Sequence, residues 1–131
     1  MIGSHRSFTW NKKEKLKSRK RIERVFREGK SLSVFPFKIY WLLDSAAAGS
    51  PLQAGFGVSS RNFKNAVDRN RIKRLSRESY RLLKPPLLAR LKEQGRCMAV
   101  FFVYTGKDLP EFATVSKQIG VALQRILKEL P

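Results

Sequence analysis

The stretch from Cys97 to Tyr104 (CMAVFFVY) limits the possible folds most, because it is apolar along its whole length. A strand with one face in water alternates apolar and polar residues, whereas a strand that is apolar throughout is typical of the covered part of a sheet. Such a strand needs other elements packed against it. The stretch therefore predicts a central strand in a layered domain, covered on one or both faces.

Four segments have the signals of helices. Ser18 is the predicted N-cap of a helix over residues 18–29, which stops at a glycine. A second helix, over residues 66–83, is ended by the two prolines that follow it. Residues 87–94 predict a short helical piece. Residues 112–130 predict the last helix, because apolar side chains recur there at helical spacing.

Two further segments predict strands. Residues 36–43 alternate between apolar and more polar side chains, and this places Tyr40 on the face opposite the most apolar residues. Residues 53–60 predict a strand that pairs back antiparallel on the first. Gly55 and Gly57 within it indicate a close approach of the backbone by another element or by a ligand.

The length of 131 residues fits a single domain, 1–131, with a modest core and no internal repeat. The order of elements predicts an α+β fold. We expect a two-layer sandwich in which about three helices pack on one mostly antiparallel sheet of about four strands.

Positive charge is concentrated on one side of the predicted helix within residues 58–81. With 3.6 residues per turn, the side towards the domain carries Asp68, Ile72, Leu75, Ser79, Leu82 and Leu83. The other side carries Arg69, Asn70, Lys73, Arg74, Arg77 and Arg81, with Arg71 at the border. Arginines outnumber lysines five to one in this helix, and arginine is the better group for holding a phosphate at two points. The pattern predicts that this side lies on RNA rather than being a merely solvated surface.

The net charge of +18 supports a polyanionic partner, because like charges at this density repel one another in the folded protein. Nucleic acid is the first candidate and an anionic membrane surface is the second. Basic residues recur along the chain instead of clustering beside one apolar segment, so no membrane partner is expected. Residues 1–15 predict a loosely ordered arm, in which Phe8 and Trp10 either pack onto the domain or meet RNA bases.

Residues suited to catalysis by protein groups are scarce. Cys97 is the only cysteine and His5 the only histidine, so a Cys/His metal site is excluded and a nucleophile–base pair is not expected. We predict no catalytic and no metal-binding residue. A single cysteine within an apolar strand indicates a buried thiol and a reducing cytoplasm.

With these residues in view, the sequence resembles the protein component of bacterial ribonuclease P. The resemblance rests on the run Arg69-Asn70-Arg71-Ile72-Lys73-Arg74-Leu75, continued by Arg77, Glu78 and Arg81. It is supported by Gly57-Val58-Ser59, Leu16-Lys17-Ser18, Val25-Phe26 with Gly29, and Phe37 with Tyr40. These motifs span most of residues 16–104 in the family's order.

The resemblance implies a fold and a function. In the family's α/β sandwich, the signature helix joins two parallel strands by a left-handed crossover, against the usual right-handed preference. The implied function is to bind the catalytic RNA of ribonuclease P and the single-stranded 5′ leader of precursor tRNA. The RNA cleaves the phosphodiester with bound Mg²⁺, so the protein is expected to hold no cofactor of its own and to need no obligate protein partner.

The resemblance also implies which residues bind RNA. Those expected at the RNA subunit are Arg61, Lys64, Arg69, Asn70, Arg71, Lys73, Arg74, Arg77 and Arg81. Those expected at the leader, in a cleft between the first helix and the central strands, are Lys17, Ile22, Phe26, Tyr40 and Ser59. Ile22 departs from the pattern, because many members have Phe there and an aliphatic side chain stacks less well on a base.

Three other functions compete with this one. A ribosomal or other structural RNA-binding protein would have the same charge but no role in tRNA processing. A helix-type DNA reader would need a second short helix before the basic one, where residues 53–60 predict a strand instead. A nuclease that acts without RNA would need catalytic side chains that the sequence does not offer.

Overall fold

The computed structural model describes residues 14–44 and 50–130, so Phe8 and Trp10 lie outside the described residues. It contains four helices and four strands in this part of the chain. The helices are α1 (Arg19–Glu28), α2 (Ala66–Leu83), α3 (Pro85–Gln94) and α4 (Phe112–Glu129). The strands are β1 (Lys30–Val34), β2 (Phe37–Asp44), β3 (Leu52–Val58) and β4 (Cys97–Tyr104). The α+β class is confirmed, with four helices instead of about three.

The four strands form one mixed sheet in the order β1-β2-β4-β3. β2 pairs antiparallel with both β1 and β4, whereas β3 pairs parallel with β4. The predicted antiparallel pairing of β3 with its predecessor is therefore wrong. β4 is an inner strand, as its apolar run predicts. Because β3 and β4 point the same way, α2 and α3 form the crossover between them, and its left-handed sense stays a prediction.

The two faces of the sheet are covered unequally. Alternate residues of β2 and β4, including Ile39, Trp41 and Phe102, point to the larger core, which α2 and α4 cover. The residues between them face α1, where Val25 packs against Ala99. Among the described residues, α1 is the only helix that covers this second face, and Phe26 of α1 is left 39% exposed there.

Local signals account for the ends of the helices. Ser18 caps α1 as predicted, with its Oγ accepting a hydrogen bond from the Arg21 N–H at 3.4 Å. Asn65 caps α2 through Oδ1, which accepts from the Val67 N–H at 2.9 Å. The prolines after α2 stop it and begin α3 at once, since a proline fits the first turn of a helix.

The buried side of α2 differs in part from the predicted one. Ile72 and Ser79 are buried as expected, but Leu82 is 45% exposed. Ser76 and Tyr80 are buried in its place. The Ser76 hydroxyl donates to the Ile72 carbonyl at 2.8 Å, so a polar residue fits the interior without an unpaired group.

Cys97 is buried, as predicted from its place in an apolar strand. None of the described helices is long and apolar enough to cross a membrane.

Candidate nucleic-acid interface

The exposed side of α2 carries a row of arginines. Arg71, Arg74 and Arg77, with Asn70 and Val67, line an open hollow of about 550 Å³. We call these residues the arginine surface. Their positions follow from helical geometry, because residues three and four apart lie on one side of a helix. Asp68 lies in the first turn of α2, where its negative charge interacts favourably with the positive end of the helix dipole.

Arg69 is tied to the loop before α2. Its Nη1 donates to the carbonyls of Phe63 at 2.7 Å and Lys64 at 2.8 Å. These bonds hold the loop against the start of the helix. The guanidinium still has further N–H groups, since it carries five in all. Arg61 and Lys64 are exposed on this loop, next to the start of the arginine surface.

Arg81 is paired with a carboxylate. Its Nη2 donates to Oε1 of Glu78, one turn earlier on the helix. This hydrogen bond is the main cause that lowers the pKa of Glu78 and raises the pKa of Arg81. The pair engages part of the Arg81 guanidinium, which carries five N–H groups in all. Lys73 is half-buried on the same helix.

The open part of the other sheet face is aromatic. Phe26 of α1 lies with its ring centre 4.6 Å from that of Tyr40 and 5.2 Å from that of Phe101. Phe26 is 39% exposed, although it is a large apolar residue. Lys38 places its Nζ 5.7 Å from the Tyr40 ring centre, so a cation lies at the edge. We call Phe26, Tyr40 and Phe101 the aromatic face.

Phe101 was not predicted at this site, and two glycines explain its position. A Cβ on Gly55 would lie 2.6 Å from the Phe101 ring, and one on Gly57 would lie 3.0 Å from it. Only glycine lets the ring lie this close to β3. The predicted close approach to these glycines is therefore made by another element of the protein.

Of the other predicted leader residues, the structure brings Ile22 together with the aromatic face, whereas Ser59 lies farther along, after the end of β3. Ile22 packs half-buried against the cluster of Leu16, Val25 and Ala99, beside Tyr40. Lys17 is exposed just before α1. Ser59 follows β3 and stays next to β4, because its N–H donates to the Tyr104 carbonyl at 3.3 Å.

A polar hollow of about 760 Å³ lies where the parallel strands β3 and β4 end. It is lined by Ser59, Ser60, Arg61, Asn62, Thr105 and Lys107. Asn62 donates to the carbonyls of Thr105 and Gly106, both at 3.2 Å, and so joins the two loops. Lys107 was missed by the sequence prediction. Its position just after β4 could have indicated this place, because neighbouring parallel strands such as β3 and β4 end at the same edge of a sheet.

This arrangement suits RNA binding. Arginines on a helix bind phosphates, and exposed rings beside cations stack on unpaired bases. Within residues 14–44 and 50–130, no cluster of His, Cys, Asp and Glu side chains could hold a metal ion.

Comparisons with known proteins agree with this description. The family model described as ribonuclease P matches residues 10–127. A ribonuclease P protein component of Porphyromonas gingivalis is 35% identical over 125 residues, which are 95% of this chain and 91% of the relative. One from Chlorobium phaeobacteroides is 32% identical and covers 91% of this chain and 89% of its own.

Solved structures show the same fold. The ribonuclease P protein from Thermotoga maritima has a TM-score of 0.64 and 22% identity, over 86% of this chain and 96% of its own. The protein from Staphylococcus aureus also has a TM-score of 0.64, with 19% identity, over 88% of this chain and 95% of its own. The family model matches most of the length of this chain. The chain therefore belongs to the ribonuclease P protein family, whose members are the protein subunit of an endoribonuclease that matures the 5′ end of tRNA and has its catalytic groups in its RNA.

Proposed function

We propose that this protein holds the catalytic RNA of ribonuclease P on the arginine surface of α2 and the 5′ leader of precursor tRNA on the aromatic face. The residues proposed at the RNA subunit are Arg61, Lys64, Arg69, Asn70, Arg71, Lys73, Arg74, Arg77 and Arg81. Those proposed at the leader are Lys17, Ile22, Phe26, Tyr40 and Ser59, joined by Phe101. The Mg²⁺ ions that cleavage needs lie on the RNA, and the complex acts in the cytoplasm.

The observation that carries the proposal is the separation of two chemically different surfaces. The arginine surface offers guanidinium groups to folded RNA, whose backbone phosphates are regularly spaced. The aromatic face offers exposed rings to unpaired bases, where each stacked base contributes about 1–3 kcal/mol. A ribosomal or other structural RNA-binding protein has no need of a surface for a single-stranded leader, and the family matches do not favour that alternative.

The proposal is tested with a reconstituted complex of protein and cognate RNA subunit. Phe26→Ala removes a ring from the aromatic face, and we expect it to weaken precursor tRNA binding by about tenfold, the equivalent of one stacked base. Binding of mature tRNA should not change, because it has no leader. Tyr40→Ala should behave in the same way. The measurement is the dissociation constant of each tRNA from the complex.

Phe35→Ala is the matched control, because Phe35 is a phenylalanine that is 74% exposed on the turn between β1 and β2. It should leave both dissociation constants unchanged. Equal losses for the two tRNAs in Phe26→Ala would contradict leader binding at this face. The protein without RNA should not cleave precursor tRNA, and cleavage by the protein alone would contradict the assignment of catalysis to the RNA.

A further inference from the structure

A buried ion pair joins the end of α2 to the residues that precede α1. Lys84 follows the last residue of α2 and is 0% exposed. Its Nζ donates to Oε1 of Glu14, which is 6% exposed. The two residues are 70 positions apart in the sequence, so the pair connects distant parts of the chain.

Stability alone does not account for this pair. Removing two charges from water costs several kcal/mol per ion, and an apolar pair of similar volume is often as stable or more so. What an ion pair adds is a preferred position, because a shift of either group leaves a charge unpaired in the interior. The relevant question is therefore which residues Glu14 holds in place.

Glu14 begins a short segment, residues 14–18, that runs along the edge of β3. Lys15 forms a parallel bridge with Ala54, and the Leu16 N–H donates to the Ala54 carbonyl at 2.9 Å. The side chain of Leu16 is buried against Val25 and Ala99, on the face of the sheet that α1 covers. The segment thus links the α2 side of the sheet to the α1 side.

The same segment forms one border of the proposed leader site. Ile22, Tyr40 and Phe101 pack against the cluster that contains Leu16. Lys17 is exposed directly after Leu16, and Ser18 caps α1, which carries Phe26. A displacement of residues 14–16 would therefore move Lys17 and remove support from the aromatic face.

We propose that Glu14 and Lys84 are positioning residues for leader binding, because their pair fixes residues 14–18 at the edge of β3 and so sets the position of Lys17 and the aromatic face. Neither residue is proposed to contact RNA. The inference rests on the proposed function, since it assumes that the leader lies on the aromatic face.

The test compares three variants in the reconstituted complex. Lys84→Met removes the cation beside the buried carboxylate of Glu14, and Glu14→Leu with Lys84→Met replaces both charges by apolar groups. Lys30→Met is the matched control, because Lys30 lies 3.8 Å from Glu129 in an exposed pair. Three quantities are measured: the melting temperature, hydrogen exchange at the Leu16 amide, and the ratio of the dissociation constants of mature and precursor tRNA.

We expect the double variant to melt at or above the wild-type temperature, because it buries no unpaired charge. Its tRNA ratio should nevertheless fall by about tenfold, the equivalent of one stacked base, and its Leu16 amide should exchange faster. Lys84→Met should show the same fall in ratio together with a lower melting temperature. Lys30→Met should match the wild type in all three measurements.

A double variant with the wild-type tRNA ratio and wild-type exchange at Leu16 would overturn the inference, and the pair would be structural only. This outcome leaves the proposed function intact. A wild-type complex that binds mature and precursor tRNA equally would instead overturn leader binding itself, and the inference with it. If Lys84→Met fails to fold, the double variant alone decides between these outcomes.

Discussion

Tyr80 is the residue whose environment has the clearest energetic consequence. It is fully buried, and within the described residues its hydroxyl has no hydrogen-bond partner. Burial, and secondarily the negative charge of Glu14, raises the pKa of Tyr80 well above its ordinary value of 10.0. Its ring packs on Phe56 and Phe102, so the ring contributes to the core while the hydroxyl opposes it.

Tyr80→Phe should stabilise the protein at neutral pH by about 1 kcal/mol, because it removes an unsatisfied buried hydroxyl and keeps the ring. The unfolded tyrosine ionises near pH 10 while the folded one stays neutral, so the wild type loses stability as the pH rises above about 10. The advantage of the variant should therefore grow there. Urea unfolding at neutral pH and at about pH 10.5 measures both effects.

Tyr104→Phe is the matched comparison, with the opposite sign expected at neutral pH. The Tyr104 hydroxyl donates to the Asp108 carbonyl at 2.7 Å, so its removal loses a hydrogen bond. The cost should be about 1 kcal/mol. If Tyr80→Phe also destabilises the protein, the view that its hydroxyl is unsatisfied is wrong.

At the scale of elements, α2 packs on the sheet and, in the proposed function, also binds RNA. The two tasks fall on different sides of the helix, with Ile72 and Tyr80 inward and the arginine surface outward. Arg69 belongs to neither side alone, because it also holds the loop that leads into the helix. A test of RNA binding should therefore change Arg71 and Arg74 and leave Arg69 in place.

Arg71→Ala combined with Arg74→Ala should weaken binding of the RNA subunit and make its salt dependence shallower. The logarithm of the binding constant falls with the logarithm of salt concentration by about 0.7–0.9 for each phosphate contact, so the slope should change by about 1.4–1.8. Titrations of the RNA at several salt concentrations measure it.

Lys92→Ala combined with Arg96→Ala is the matched control, because it also removes two positive charges. These lie towards the opposite end of the sheet, since Arg96 precedes β4 while the arginine surface adjoins the loop after β3. That control should keep the wild-type slope. If both double variants change the slope equally, the effect comes from net charge and the arginine surface is not a specific contact.

Elements with strong local signals were predicted well, whereas the predicted pairing of β3 was wrong. The apolar run of β4 and the cap and glycine stop of α1 identify these elements within a few residues. β1 was missed because KSLSV is short and mostly polar, so its signal is weak. The partner of β3 was wrong because consecutive strands usually pair, whereas β3 pairs with a strand about 40 residues later in the chain.

The candidate site was predictable only where single residues carry the signal. The helical spacing of the arginines assigns them to one side of α2, and the alternation around Tyr40 assigns it to one face of β2. Neither assignment needs information from the rest of the fold. Phe101 joins the aromatic face because two glycines of another strand leave room for it, and Lys107 lines the same hollow as Arg61 because two loops meet there. Such contacts depend on tertiary packing, which no local pattern contains.

For the whole molecule, the dominant quantity is the net charge of +18. Mutual repulsion opposes the compact state, and a bound polyanion removes that repulsion. The RNA subunit should therefore stabilise the protein by more than its contacts with the arginine surface alone. At a free RNA concentration 100 times the dissociation constant, linkage adds about 2.7 kcal/mol to the free energy of unfolding.

We expect the melting temperature to rise when the RNA subunit is added and the rise to shrink as salt is increased, because screening weakens both the repulsion and the binding. Calorimetry with and without RNA at low and high salt measures this. An uncharged polymer of similar size is the control and should produce no comparable rise. A rise that does not depend on salt would show that apolar contacts dominate the complex.

The buried position of Cys97 has a practical consequence. Because the only thiol of the chain is shielded inside β4, reagents that modify sulfur have little access to it while the protein is folded. A cysteine introduced at a chosen exposed position can then carry a fluorophore or a cross-linker at that position alone. Labels on α1 and on α2 would report separately on where each RNA approaches the protein.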